Sequence, residues 1–527
     1  MVITPYKLHE DYWDNFTLQQ DDIEFLYNHL LETETPLTSQ ELLEVLVKER
    51  IQREKLSLEQ QQSSDGDLYV PKDHYEVSQK LIFPALAWKR GEVVGVRPGN
   101  NPDLGEFGVI KVAFEDGEVR EYAAELQDHN LNEPVKFAED DDALNSSYVL
   151  NNYRETMVEV LEEGLTANQD FVRIAGRWFP RALLVDINIG HLNLAEAVLD
   201  MAGGGPLPTK ALLEQIEIPA NVNPKLLEFS MDLALQEDER FDEVGATGQV
   251  LWFLRRLEPE PVLEPPIYLR YPGIDYDRAV LTSEMIALER DLDDELSPLE
   301  GRPQQLAEVQ LRLIFPHWRA GTLPLSSRLR HLFPTAYEAP RIRFTLVDGQ
   351  SGEKFPAWVV RPKRFVYGLG EWYQKHNLVP GSLIRVQRGK GAGEVIIHAD
   401  TRRPSREWVR TVLIGSDGGV VFAMLKQSIY SSFDERMTIA VPDVEAVDRV
   451  WAQMSKERTS FEKVVVNTVR ELAKLNPQGH VHASELYAAF NIVRRCPPAP
   501  ILALLASRPW FTHVGDLHFR FNDSERI

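Results

Sequence analysis

The chain has 527 residues, 43% of them hydrophobic and 26% charged, the balance of an ordinary folded protein and length enough for three or four domains. Its single cysteine, Cys496, excludes an internal disulfide framework and a thiolate zinc cage. No run of about 18 apolar residues predicts a membrane span, and Met1-Val2-Ile3-Thr4-Pro5-Tyr6 lacks a signal-peptide pattern, so a cytoplasmic protein of bacterial type without a membrane partner is expected. The formal charge of −24 is unevenly spread. Residues 301–410 hold 19 Lys or Arg against 8 Asp or Glu, a net of +11, and the remainder holds 38 basic and 73 acidic residues, a net of −35. Such segregation predicts an anionic partner for the basic segment.

Residues 1–60 read as a helix–turn–helix-like segment. Ile23, Leu26, Leu30 and Leu31 share one helical face, Thr35-Pro36-Leu37 breaks the pattern, and Thr38-Ser39-Gln40-Glu41 is a capping box that opens a second helix. The polar stretch Gln60 to Asp67 predicts a linker. Over 75–135 the period changes to two: Arg90 to Arg97, Phe107 to Phe114 and Val119 to Tyr122 read as strands between Pro98-Gly99-Asn100-Asn101-Pro102 and Glu115-Asp116-Gly117-Glu118 turns. This segment resembles small SH3-like barrels. Glu139-Asp140-Asp141-Asp142 predicts a solvated boundary.

Residues 146–262 are expected to form the next unit. Gly203-Gly204-Gly205-Pro206 is a turn, Thr209 to Ile216 and Pro224 to Leu235 are helices, and Phe241 to Leu254 is a strand pair. Pro259, Pro261, Pro265 and Pro266 stiffen the connector that follows, and Leu288 to Leu296 reads as a short acidic helix. An internal repeat links this unit to residues 456–527. Phe241-Asp242-Glu243-Val244-Gly245 is echoed by Phe511-Thr512-His513-Val514-Gly515, each followed by an apolar strand and preceded about thirty residues earlier by a turn opening a helix. Two helices and a Phe-x-x-Val-Gly hairpin are the order of a winged helix. The C-terminal copy resembles the modules of bacterial polymerase delta subunits and chromatin-associated HARE-type domains.

Residues 301–400 carry the most specific pattern. Arg341 to Asp348 alternates as a strand, Gly349 to Lys354 is a turn, Phe355 to Val360 returns, Glu371 to His376 is a short helix, and Ser382 to Val386 is another strand. Leu323-Pro324, Asp348, Ser351-Gly352, Trp358, Tyr367-Gly368-Leu369, Trp372, Asn377-Leu378 and Gly381 stand in the order seen in the pseudobarrel DNA-binding domain of plant auxin response factors and in effector domains of some restriction endonucleases. The segment resembles that family. It departs where Gly381-Ser382 replaces the family's Gly-Asp and where Asn377 directly precedes Leu378. The resemblance implies duplex-DNA binding by two arms that straddle a groove.

Independently of it, the basic residues are suited to phosphate contact and guanine readout. The expected nucleic-acid-binding set is Arg341, Arg343, Arg361, Lys363, Arg364, Lys375, Arg385, Arg388, Lys390, Arg402, Arg403 and Arg406. Trp358, Trp372 and Tyr373 are expected in the core. Residues 401–455 read as a small α/β extension.

Other signals point away from catalysis. Gly389-Lys390-Gly391-Ala392-Gly393 runs into the strand residues Glu394-Val395-Ile396-Ile397, so it predicts a hairpin turn rather than a nucleotide loop. Glu139–Asp142 and Asp291–Glu295 are expected to be solvated charge runs, and His480 and His482 lack neighbouring ligands. Gly-x-Ser-x-Gly and His-Glu-x-x-His are absent, and Cys496 has no obvious His partner. The sequence therefore predicts an α+β multidomain, non-enzymatic duplex-DNA-binding protein with no cofactor or metal: a transcription regulator or targeting subunit whose acidic winged units contact protein. The alternatives are a protein–protein scaffold whose basic barrel docks an acidic partner, and a DNA-modifying enzyme or nuclease.

Overall fold

Leu37-Thr38-Ser39-Gln40-Glu41-Leu42 recurs as Leu207-Pro208-Thr209-Lys210-Ala211-Leu212 and again as Val481-His482-Ala483-Ser484-Glu485-Leu486. In the computed structural model each copy is a short strand running straight into a helix. The structure describes residues 12–64, 67–83, 86, 89–101, 105–114, 117–132, 142–216, 218, 223–298, 306–389, 391, 393–416, 418–456 and 459–522, with backbone alone for 57–64, 130 and 455. The architecture is mixed α+β and multidomain.

Each copy opens one module of helix, strand, helix, helix, strand, strand. The first module is Gln20–Thr33, Leu37–Thr38, Ser39–Ser64, Ser146–Ala167, Phe171–Ile174 and Arg177–Pro180. The second is Ile189–Met201, Leu207–Pro208, Thr209–Leu213, Pro224–Glu237, Phe241–Glu243 and Leu251–Leu254, and the third is Phe461–Ala473, His480–His482, Ala483–Val493, Pro498–Ser507, Phe511–Gly515 and His518–Phe521. In all three the last strand lies between the other two. The register is the same, with Leu37 opposite Trp178, Leu207 opposite Trp252 and Val481 opposite Phe519.

The chain divides into two units, Met1–Val185 with Asn221–Phe229, and Asp186–Ala220 with Ser230–Ile527. Two expectations change within the first. The residues expected as one domain over 146–262 are divided, because Ser146–Pro180 supplies the third helix and hairpin of the first module. The segment 1–60 is thus an incomplete module, interrupted after its second helix. The interruption is a five-stranded antiparallel-dominated sheet, Asp67–Leu68, Lys80–Phe83, Lys89–Pro98, Gly108–Phe114 and Val119–Ala124, whose core holds Tyr69, Phe83, Val93, Ile110, Val112 and Phe114. Nor is the stretch from Gln60 a linker throughout, since helix Ser39–Ser64 runs into it. The capping box is present: Glu41 accepts from the Thr38 N–H at 2.8 Å and the Thr38 hydroxyl accepts from the Glu41 N–H at 3.2 Å. Glu139 to Asp141 lie outside the described residues.

One buried hydrogen-bond relay ties strand to helix in the first two modules. The Trp178 indole donates to the Ser39 hydroxyl at 3.0 Å, and Ser39 donates to Glu162 at 2.6 Å. The Trp252 indole donates to Thr209 and to Asp232, both at 3.0 Å, and Thr209 donates to Asp232. Glu162 and Asp232 each stand nine residues before the hairpin's first residue, Phe171 or Phe241. The same three positions in the third module are Phe519, Ala483 and Leu502, all buried in one apolar core. A complete polar set and a complete apolar set both satisfy the site, whereas a mixture strands a buried donor or acceptor.

In the second unit a seven-stranded sheet curls into a half-barrel, in the order Glu308–Arg312, Leu383–Arg388, Glu394–Ala399, Arg341–Asp348, Lys354–Val360, Phe365–Tyr367, Thr322–Pro324. Only Arg341–Asp348 and Glu394–Ala399 pair in parallel among its described strands. Arg341–Asp348 alternates between buried and half-buried, as its period-two sequence predicts, and its buried Ile342, Phe344 and Leu346 fill the core with Leu323, Trp372, Tyr373, Ile384 and Val395. Gly381 stands at φ +95°, where a Cβ would fall 2.4 Å from the Thr438 Cα.

The acidic run expected as the solvated helix Leu288–Leu296 is different. The helix is Ser283–Leu292, and Asp294 and Glu295 beyond it are buried. Both carboxylates face the fully buried Arg495 guanidinium, at 2.6 and 2.7 Å. Tyr487 donates to Asp294, and His317 lies 3.1 Å from Glu295. The Arg495 charge holds Glu295 well below the usual carboxylate range despite its burial. Removing the guanidinium leaves two uncompensated buried acids, so Arg495→Met is expected to lower stability by about 3–5 kcal/mol. Adding Asp294→Asn and Glu295→Gln to that variant is expected to restore part of the loss, read as the thermal unfolding midpoint of all three proteins.

Candidate nucleic-acid interface

The register of the half-barrel places the expected basic residues at two ends, about 25 Å apart along an eight-residue strand. Arg361, Lys363 and Arg364 occupy the turn after Lys354–Val360, level with Arg341. Lys375, Arg385, Arg402 and Arg403 belong to the other end. There Gln350 in the Asp348–Lys354 turn donates to the Ala399 carbonyl at 2.8 Å and to Thr401 at 2.7 Å. The island of the sequence is thus two clusters.

Several of these cations already have protein partners. Arg341 pairs with Asp242 and, at 3.0 Å, with Glu258, and its side chain is 14% exposed. Arg343 donates to the Gly205 carbonyl at 2.9 Å and lies over the Phe253 and Trp358 rings. Both therefore dock the second module onto the half-barrel, a correction to their expected place on a phosphate-facing surface. Trp358 is buried, as expected, but in this intramolecular interface with Val244 and Phe253. Lys375 pairs with Glu353, and Arg385 with Asp400 at 2.7 Å. Arg361 donates to the Ala339 carbonyl at 2.8 Å, Arg364 to Ser297 at 3.3 Å, and the exposed Arg388 to His331. Arg402 lies 3.4 Å from Glu407 and over the Phe433 ring. Lys363, Arg403 and Arg406 are exposed and carry no ion pair among the described residues. Lys390 lies outside the described residues.

Arg402, Arg403 and Arg406 belong to a long antiparallel ribbon, Thr401–Ile414 paired with Val420–Ser431. Directly opposed residues share a face, so Arg406 with Ser428, Trp408 with Lys426 and Arg410 with Met424 form one side, which Tyr430 extends. Further along this side Val412 and Phe422 are buried in the core of the third module. The other side buries Val409 and Ile429 against Ala440 and exposes Leu413, Val421 and Leu425 toward the turn. The segment 401–455 is therefore a β-ribbon with a third strand, Ile439–Ala440, and the helix Val444–Lys456.

Ser428 and Tyr430 also line a cleft of about 1190 Å³, together with Tyr367, Trp372, Lys375 and Asn377. Below it, Asp348 closes the turn that carries Ser351-Gly352. Burial raises this carboxyl, but the Gln350 N–H, the Ser351 hydroxyl and His376 hold it down at about 2. These contacts fix a turn and leave Asp348 a structural anion.

Residues that the sequence discounted have structural work. Asn476 and Gln478 engage His480, while the His482 nitrogens engage Ser484 at 2.7 Å and Arg436 at 3.0 Å. Burial, then Arg436 and His518, push His482 down to about 4, so it is neutral near pH 7. The Cys496 thiol is buried, which pushes its pKa up and opposes nucleophilic chemistry. The strands Leu383–Arg388 and Glu394–Ala399 on either side of this glycine stretch pair antiparallel, with the Gly389 N–H donating to the Glu394 carbonyl at 2.8 Å, so the stretch leads into a strand and not into a nucleotide-binding helix.

Beside the Arg341 interface, burial raises Glu243 to about 8, reinforced by Glu338 and Asp232 and only partly offset by Arg361. The folded chain therefore binds this proton more tightly than the unfolded chain. The associated stability is present below the ordinary carboxylate pKa and is lost as pH rises through about 8. Glu243→Gln is expected to match the wild-type unfolding midpoint near pH 4 and to exceed it near pH 9, which paired thermal melts at the two pH values check. In comparisons with known proteins, the chain matches no family model, no curated protein and no solved structure.

Proposed function

We propose that this is a non-enzymatic DNA-binding protein that holds duplex DNA by its backbone, with the β-ribbon as the principal contact. The observation that carries the reading is the exposed basic set on one ribbon, Arg403, Arg406 and Lys426 with Arg402 alongside, in a chain of net charge −24. A two-stranded ribbon fits a major groove, and exposed Lys and Arg attract phosphates over a long range. Arg361, Lys363 and Arg364 form a second contact at the far end of the half-barrel, in keeping with the two arms of the pseudobarrel domains it resembles. The three repeated modules are read as winged-helix units. The first two, being acidic, suit protein rather than phosphate, as in a transcription regulator or a targeting subunit.

A protein-docking reading is favoured by one further observation, the exposed Leu413, Val421 and Leu425 on the opposite side of the ribbon. Anisotropy of a labelled random duplex at several salt concentrations separates the two. DNA binding predicts a steep fall of affinity with salt. Arg402→Gln, Arg403→Gln, Arg406→Gln and Lys426→Gln together are expected to flatten the log–log slope by about 3–4. Failure of duplex to bind at low salt, with a co-purifying protein present, would establish docking instead.

A further inference from the structure

The ribbon carries more than charge. Trp408 is 62% exposed, and Met424 and Tyr430, each 40% exposed, share its face with Arg406 and Lys426. Large apolar side chains on a soluble surface are individually common, but here one face interleaves two aromatics and two cations. The Lys426 Nζ lies over the Trp408 ring, 5.3 Å from its centroid, and the indole is still 62% exposed. From Tyr430 the face continues into the cleft that Tyr367, Trp372 and Lys375 also line.

We infer that this face binds an unpaired stretch of a DNA strand, the aromatic rings stacking on bases while Arg406 and Lys426 meet the intervening phosphates. The inference rests on the DNA-binding reading above and names its preferred ligand: a duplex that continues into a single-stranded segment. The physical reason is access. In a duplex the π-faces of the bases are covered by their neighbours and only edges and phosphates are offered, so exposed indole and phenol rings gain little. An unpaired strand offers both faces of each base, and stacking on an aromatic side chain is sequence-tolerant. Successive residues on one face of a strand repeat every 6.6 Å or so, which alternates ring and cation along the ribbon at the scale of a nucleotide. A protein partner fits less well, because the apolar patch expected of a docking surface lies on the other side, at Leu413, Val421 and Leu425, where no cation is interleaved.

The test uses the full chain, with a blunt duplex and the same duplex extended by a single-stranded tail on either strand, followed by anisotropy. The wild type is expected to bind a tailed duplex about tenfold more tightly than the blunt one, within the range for one stacked base. Trp408→Ala is expected to abolish that difference and to leave blunt-duplex affinity within about twofold, while Trp408→Phe keeps it. The exposed position of Trp408 allows these variants to fold. Equal binding of blunt and tailed duplexes by the wild type, or an equal loss on both in Trp408→Ala, overturns the stacking role and leaves duplex binding standing. No binding of either ligand at low salt overturns both.

Discussion

A fully buried guanidinium held between two buried carboxylates organises the second unit. Arg495 lies just after the helix Ala483–Val493, whereas Asp294 and Glu295 sit some two hundred residues earlier, after the helix Ser283–Leu292. Neither side can be dry alone, since an unpaired buried charge is prohibitive and the pair needs further hydrogen bonds to support it. Asn491 and the Cys496 carbonyl accept from the Arg495 Nη1, and His317 and Tyr487 bond the carboxylates, while the buried Arg495 Nε has no hydrogen-bond partner among the described residues. His317 in turn contacts Thr322 at 2.8 Å, at the start of an edge strand of the half-barrel. The third module, the acidic connector and the half-barrel are thereby joined through one charge-balanced core.

The same demand for matched partners explains the modules. Tryptophan, hydroxyl and carboxylate appear together in the first two, and phenylalanine, alanine and leucine appear together in the third. The fold tolerates either chemistry because the energetic penalty attaches to an incomplete set.

Charge segregation acquires a second meaning. Much of the basic segment meets the chain's own acids: Arg312 with Asp434, Arg319 with Asp448, Arg328 with Asp293, Arg341 with Asp242 and Glu258, and Arg410 with Glu485. Oppositely charged pieces of one polypeptide fasten to one another, and the cations left over cluster on the ribbon and at the far turn. A net charge of +11 in sequence therefore overstates the surface available to a polyanion.

Local order was legible in the residues themselves. The Thr38–Glu41 box, the alternation of Arg341–Asp348, the turn at Ser351-Gly352 and the paired Phe-x-x-Val-Gly hairpins depend on contacts a few residues long, so neighbouring side chains reveal them. The first copy of the repeat was hidden because a five-stranded sheet separates Leu37 from its partner Trp178. Composition made Asp294 and Glu295 look solvated, and the period of two set Arg341 and Arg343 on one face without saying what would cover it. Only the packing of distant segments settled those points, because burial and the sign of the nearest charge are properties of the assembled interior and not of any short stretch of chain.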